Sequence, residues 1–150
     1  MRKSIIAILM TFCLSIMTYA QTPRDRATEL KEQAQSSLNQ KDYIKARYLF
    51  KKAYEAFATR GNYPQAIECG VQANALYVRE NFYKEGFELC RDMDQLIWTG
   101  EQNQKKVFYD LRFLVNKERL QMYTALKNPA QAKTQLNKLE ETANLAKNDS

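Results

Sequence analysis

Tyrosine recurs at a fixed interval in this chain, and that interval limits what the chain can fold into. Asp42-Tyr43-Ile44-Lys45-Ala46 returns as Asn62-Tyr63-Pro64-Gln65-Ala66 and, in weaker form, as Phe82-Tyr83-Lys84-Glu85-Gly86. The step from Tyr43 to Tyr63 to Tyr83 is 20 residues each time. Small residues follow at Ala46, Ala66 and Gly86, and Ala53 and Ala73 come seven positions later. One turn plus one helix per period is the signature of stacked antiparallel helices, whose units bury their apolar faces only against neighbours. These tyrosines and small residues are the expected packing positions.

A different kind of segment precedes the repeat. Arg2 and Lys3 lead into an apolar run from Ile5 to Met17, and Thr18-Tyr19-Ala20 closes it on a small residue. That order predicts a Sec-type signal peptide over residues 1–20, cleaved between Ala20 and Gln21. The run is shorter than the ~20 residues a bilayer-crossing helix needs. The mature chain, 21–150, is therefore expected to lack a transmembrane span and to reside in the periplasm or another extracytoplasmic compartment. Formal net charge is +6, but the cations lie scattered or in doublets such as Lys51-Lys52 and Lys105-Lys106. Doublets of this kind read as solvated helix faces, and export argues further against a nucleic-acid partner.

Sparse Pro, Gly and Asn punctuation implies long helices. The first is expected from Pro23 to Asn39, with Leu30, Ala34, Ser37 and Leu38 inward. Gln40-Lys41-Asp42 makes a turn, and Asp42 suits the N-cap of a second helix running to Thr59. Tyr43, Ala46, Phe50, Ala53, Tyr54 and Phe57 form its apolar stripe. Gly61 is placed for a left-handed cap. A third helix, from Pro64 to Arg79, buries Ile67, Val71, Leu76 and Tyr77. Gly70 here and Gly86 in the next helix predict close helix–helix approach, because glycine inside a helix costs about 0.5–1 kcal/mol against alanine. The fourth is expected over Phe82–Trp98, stopped by Thr99-Gly100. A long fifth follows over Glu101–Lys127, with Val107, Leu111, Leu114, Val115, Met122 and Ala125 on one face. A sixth occupies Pro129–Lys147. No segment alternates as a strand does. The fold class is all-α, an antiparallel helical-hairpin solenoid of about six helices.

Signals of catalysis are sparse. The chain has no histidine, which removes the commonest general base and metal ligand. Of the three cysteines, Cys13 falls in the leader, and the remaining Cys69 and Cys90 are too few for a four-ligand zinc site; the four glycines form no phosphate loop. Glu85, Glu88 and Asp92 share a helix face, but Lys84 and Arg91 flank them as in a solvated ion-pair surface. No catalytic residue, cofactor or metal is expected. If Glu80 and Asn81 turn the chain, Cys69 and Cys90 sit at similar heights on adjacent helices. A disulfide and two buried free thiols are both open.

Small and aromatic residues at these offsets resemble the tetratricopeptide repeat. Leu30, Ala34, Tyr43, Ala46, Phe50 and Ala53 carry the resemblance in the first helix pair, and Leu120, Tyr123, Ala132, Leu136 and Leu139 in the last. Tyr77, Tyr83, Gly86, Cys90 and Met93 keep the spacing in the central pair without the usual alanines. The step per pair is nearer 40 residues than that family's ~34. The resemblance implies a ligand groove lined by the first helix of each pair, where Lys31, Gln35, Asn39, Arg79, Lys117 and Gln121 would point. Glutamine stands where that family's carboxylate clamp has asparagine, so the clamp is not carried over. A leader followed by such repeats also looks like the sensory N-terminal region of exported bacterial histidine kinases or regulators. The chain would then be an N-terminal piece or a truncated relative. The expected function is non-catalytic recruitment of a protein or peptide, in the extracytoplasmic sensing part of a signalling protein. The alternative is an assembly role, with the array stacking on itself or on an outer-membrane complex.

Overall fold

The structure, a computed structural model, describes residues 25–149. The expected leader, its cleavage point at Ala20 and Gln21, and Pro23 as a first-turn residue lie outside that range. Within it the chain is all-helical: α1 (Arg26–Asn39), α2 (Tyr43–Thr59), α3 (Tyr63–Arg79), α4 (Tyr83–Gln104), α5 (Tyr109–Ala125) and α6 (Pro129–Asn148). Consecutive helices pack as antiparallel hairpins, and α3 also touches α5. Helical hairpins in chain order thus form a solenoid-like array among the described residues.

Four of the five connections are the same three-residue turn. A residue with positive φ ends the helix at Lys41 (62°), Gly61 (68°), Asn81 (62°) and Lys127 (53°). Its N–H bonds the carbonyl three residues back. The N–H after it reaches five back, as from Asp42 to Ser37 (2.9 Å) and Asn62 to Phe57 (3.0 Å). This is the Schellman pattern, which satisfies the last carbonyls of a helix. The residue that closes it also caps the next helix: Asp42, Asn62 and Asn128 each accept the N–H three residues on, from Lys45, Gln65 and Gln131. One residue serving both ends leaves no slack in the turn, which enforces the interval visible in the sequence. Tyr43, Tyr63 and Tyr83 are the first residues of their helices. So is Tyr109, which lies 26 residues after Tyr83 rather than 20.

The irregular step lies in α4, and it corrects two expectations. Helix α4 does not stop at Thr99-Gly100; it runs 22 residues, to Gln104. The predicted fifth helix from Glu101 to Lys127 is therefore split, with Glu101 in α4 and a connection over 105–108 before α5. Lys105 ends α4 in the left-handed region (φ 54°). Gly100 is needed inside the helix because a Cβ there would lie 2.7 Å from Phe108 Cε2 and 2.9 Å from the Tyr63 ring. The face drawn for one long helix also divides. Leu111, Val115 and Met122 are buried, whereas Val107 and Ala125 are exposed.

Small residues set the spacing of the first four helices. Ala46, Ala53, Ala66 and Ala73 are fully buried. A Cβ at Gly70 would meet Met93 Sδ at 2.6 Å and Tyr54 Cδ2 at 3.2 Å, so α3 approaches both α2 and α4 closely, as the sequence implied. The tyrosines share a backbone position but not a surrounding, which corrects the expectation that all three occupy equivalent packing niches. Tyr63 is buried against Phe108, ring centroids 5.8 Å apart. Tyr43 is half-buried under the Arg79 guanidinium at 3.9 Å, and Tyr83 bonds Asn81.

Cys69 and Cys90 are both buried and free, which corrects the disulfide alternative. The two thiols face different neighbours. Lys31 of α1 and Glu68 bear on Cys69, whereas Arg119 and Glu118 of α5 bear on Cys90. Burial pushes the Cys69 thiol up to about 11 and the Cys90 thiol up to about 12.

Lysine at a left-handed position costs about 1–2 kcal/mol that glycine avoids, partly offset by glycine's greater chain entropy. Lys41→Gly and Lys127→Gly are each expected to raise stability by roughly 0.5–1 kcal/mol, and Gly61→Ala to lower it by a similar amount. Urea unfolding followed by circular dichroism measures all three.

Candidate functional site

Registering the helix pairs by their turns shows where the array changes character. Residues of α1 and α2 match those of α3 and α4 at 40 residues' separation, and α3 and α4 match α5 and α6 at 46. On that register the close-packed stripe Ala66, Gly70 and Ala73 of α3 becomes Arg112, Asn116 and Arg119 of α5. Small residues let α2, α3 and α4 close on one another. Two arginines and an asparagine at the corresponding crossing leave α4, α5 and α6 around an open cleft of about 470 Å³. That volume falls within the ~300–1,000 Å³ of ordinary ligand sites.

Trp98 and Ile97 of α4, Tyr109 at the start of α5, and Leu145 of α6 give the cleft its apolar surface. Trp98 is 58% exposed, so a flat aromatic surface is presented to solvent. Asp94, Arg112, Asn116, Arg119, Lys138 and Glu141 supply the polar groups. Two of the cations are tied in place. Arg119 pairs with Asp94 of α4 and approaches Asn116 Oδ1 at 3.5 Å. Arg112 makes a two-pronged pair with Glu101, its Nε donating at 2.7 Å. Bidentate pairing of this kind fixes a guanidinium in direction as well as position.

Glu101 lies on the stretch by which α4 outruns α2, and that stretch anchors α5. Its carboxylate also accepts the Phe108 N–H at 2.9 Å, next to the N-terminal end of α5, where the helix dipole favours negative charge. The Arg112 bond, with help from Phe108, holds the Glu101 carboxyl below its ordinary range. Nearby, Asn103 donates to the Tyr63 hydroxyl at 2.9 Å, tying the extension to α3. On the buried side of α5, Glu118 accepts from Asn74 Nδ2 at 2.9 Å. Burial pushes the Glu118 carboxyl above its ordinary range.

Lys138 and Glu141, one turn apart on α6, make no ion pair within the described residues. They are the free charges of the cleft. With Glu101 counted, three cations face three anions, so the site is balanced rather than an anion trap. It offers an aromatic surface flanked by one free charge of each sign. Among the described residues no group of three Cys, Asp or Glu side chains is placed to hold a metal. No helix there is long and apolar enough to cross a membrane.

The six residues expected to point into a groove lie on α1, α3 and α5, and none lines this cleft. Lys31 spans from α1 to α3, donating to Gln65 Oε1 and Glu68 Oε2 at 2.8 Å each. Gln35 bonds Asn39 at 3.1 Å, Arg79 covers Tyr43, and Lys117 and Gln121 are exposed. Glu85, Glu88 and Asp92 are exposed on α4. Trp98, Arg112, Arg119 and Lys138 were missed because they read as ordinary surface residues. The signal that finds them is the shifted register, which sets arginine against alanine. No protein-family model, characterised protein or solved structure matches the chain.

The two carboxylates give opposite pH responses. Glu101, with its folded value lowered, adds stability above the unfolded value of 4.5 and loses it as pH falls through the folded one. Glu101→Gln is therefore expected to cost about 2 kcal/mol at pH 7 and progressively less in acid. Glu118, with its folded value raised, adds stability below 4.5 that is lost as pH rises through the folded value. Glu118→Gln keeps an acceptor for Asn74 without that loss and should gain about 1 kcal/mol at pH 7. Denaturation of both variants between pH 3 and 8 checks the two signs.

Proposed function

We propose that this chain is a non-catalytic, exported helical-repeat module that binds a protein or peptide, as the extracytoplasmic sensing part of a signalling protein. The observation that carries the binding reading is the cleft between α4, α5 and α6. There the repeat's small residues give way to Arg112, Asn116 and Arg119, and Trp98 stands open beside them. Charge balance favours a peptide over a polyanion. An extended segment would lay an apolar side chain on Trp98 and set opposite charges against Lys138 and Glu141. Fixed, paired arginines lower the ordering cost of such binding. The resemblance to tetratricopeptide repeats supports the same class of partner, and Arg2, Lys3, the apolar run and Ala20 support export. The order of a leader followed by helical repeats, which looks like the sensory regions of exported histidine kinases or regulators, supports the signalling role.

Trp98 is the chain's one tryptophan, so its fluorescence reports on the cleft directly. Peptides selected from a displayed random library against the chain are expected to shift that emission on titration. Trp98→Ala and Arg119→Ala should each weaken binding, measured by calorimetry, at least tenfold. Selected peptides indifferent to both changes would refute the cleft as the site. Secretion from a bacterial host, followed by mass spectrometry, should return a chain beginning at Gln21; an intact Met1 in the exported fraction would refute the leader.

A further inference from the structure

The two ends of the array differ in chemistry. At the α1 end the outward positions are Arg26, Glu29, Gln33 and Ser36, where α3 has Ala66, Cys69, Ala73 and Leu76, all buried. The first helix is thus a polar cap. At the α6 end the register gives the opposite result. Phe113 of α5 is 38% exposed, whereas its counterparts Ile67 and Ala27 are fully buried. Leu136 of α6 is 46% exposed, whereas its counterparts Cys90 and Phe50 are buried. Leu120 is half-buried where Asn74 and Ala34 are wholly enclosed.

A fourth correspondence extends this face. Arg47 of α2 lies over the Tyr77 ring at 4.9 Å, and its counterpart Phe87 of α4 packs on Tyr123 at 4.8 Å. Each covers a tyrosine on the next helix along the array. Lys133 holds the same position on α6, and it is exposed with no ion-pair partner among the described residues. Glu140, seven residues on, is likewise exposed and unpaired. Lys133, Leu136 and Glu140 fall on one face of α6 by helical spacing.

We propose that this face, Phe113 and Leu120 with Lys133, Leu136 and Glu140, joins two copies of the chain about a twofold axis. Antiparallel crossing of α6 on α6 at Leu136 sets Lys133 of one copy beside Glu140 of the other, and the symmetry repeats the pair. The face is complementary to itself in both apolar surface and charge. Head-to-tail stacking is disfavoured because the α1 end sets Arg26, Gln33 and Ser36 against this apolar strip, with the exposed Tyr48 ring beside them as its apolar group. A same-face interface closes at two copies and makes no filament. The face is continuous with the interfaces inside the chain, since equivalent positions are already covered there by the next helix.

Sedimentation of the full chain across a hundredfold concentration range should show mass rising to that of two chains and stopping. Leu136→Glu, at an exposed position, should leave the circular dichroism spectrum unchanged and raise the dimer dissociation constant at least tenfold. Lys133→Glu alone should weaken the dimer, and Lys133→Glu with Glu140→Lys should restore it. A mass of one chain throughout, growth beyond two, or a dimer insensitive to Leu136→Glu would overturn the proposal. Trp98→Ala serves as the control. It tests the peptide cleft and should leave the dimer unchanged, so the two readings fail separately.

Discussion

Close backbone approach along α3 is the constraint on which the array depends. Ala66, Gly70 and Ala73 present almost no side chain, so Met93 and Tyr54 reach the helix surface itself. Dispersion between many well-seated atoms, each contact worth only ~0.1–0.2 kcal/mol, then holds three helices together over a narrow crossing. The arrangement tolerates little change in volume. Where α5 puts Arg112, Asn116 and Arg119 in the matching places, the same crossing opens. The site is a local departure from the rule that builds the rest of the molecule.

A departure of this sort needs its own support. Arg119 is half-buried at the crossing and would be costly if left unpaired, and the exposed Arg112 offsets the buried carboxylate of Glu101. The extension of α4 supplies Glu101 for one, and Asp94 serves the other. The extra residues also bring Asn103 to Tyr63 and Gly100 against Phe108. The lengthened helix, the displaced fourth tyrosine and the cleft are thus parts of one arrangement. Its rigidity comes from charge-assisted bonds rather than from apolar packing.

Much of the fold was legible in the sequence because it is local. The turns at 40–42 and 60–62, the helix faces around Phe50 and Ile67, and the tight approach at Gly70 all follow from neighbours within a few residues. The break at Thr99-Gly100 misled for a physical reason. A glycine after a helical run usually supplies positive φ, but Gly100 stays helical and serves a contact with Tyr63, which is distant in sequence. Lysine, a poor candidate for the left-handed region, ends that helix instead. The candidate site was illegible for a related reason. Arg112 and Arg119 look like solvated charges until the register is moved by the length of the α4 extension, and no local pattern announces that shift.

Cys69 and Cys90 have a consequence for how the molecule behaves outside a reducing cell. Each thiol is shut away from solvent and held in its unreactive protonated form. Oxidants act on the exposed thiolate, so these two thiols are protected from them while the helices stay packed. Each hairpin that opens, however briefly, uncovers a nucleophile. The pair therefore act as a built-in clock: the rate at which an alkylating reagent consumes each cysteine counts the openings of α3 and of α4 separately, without any added label.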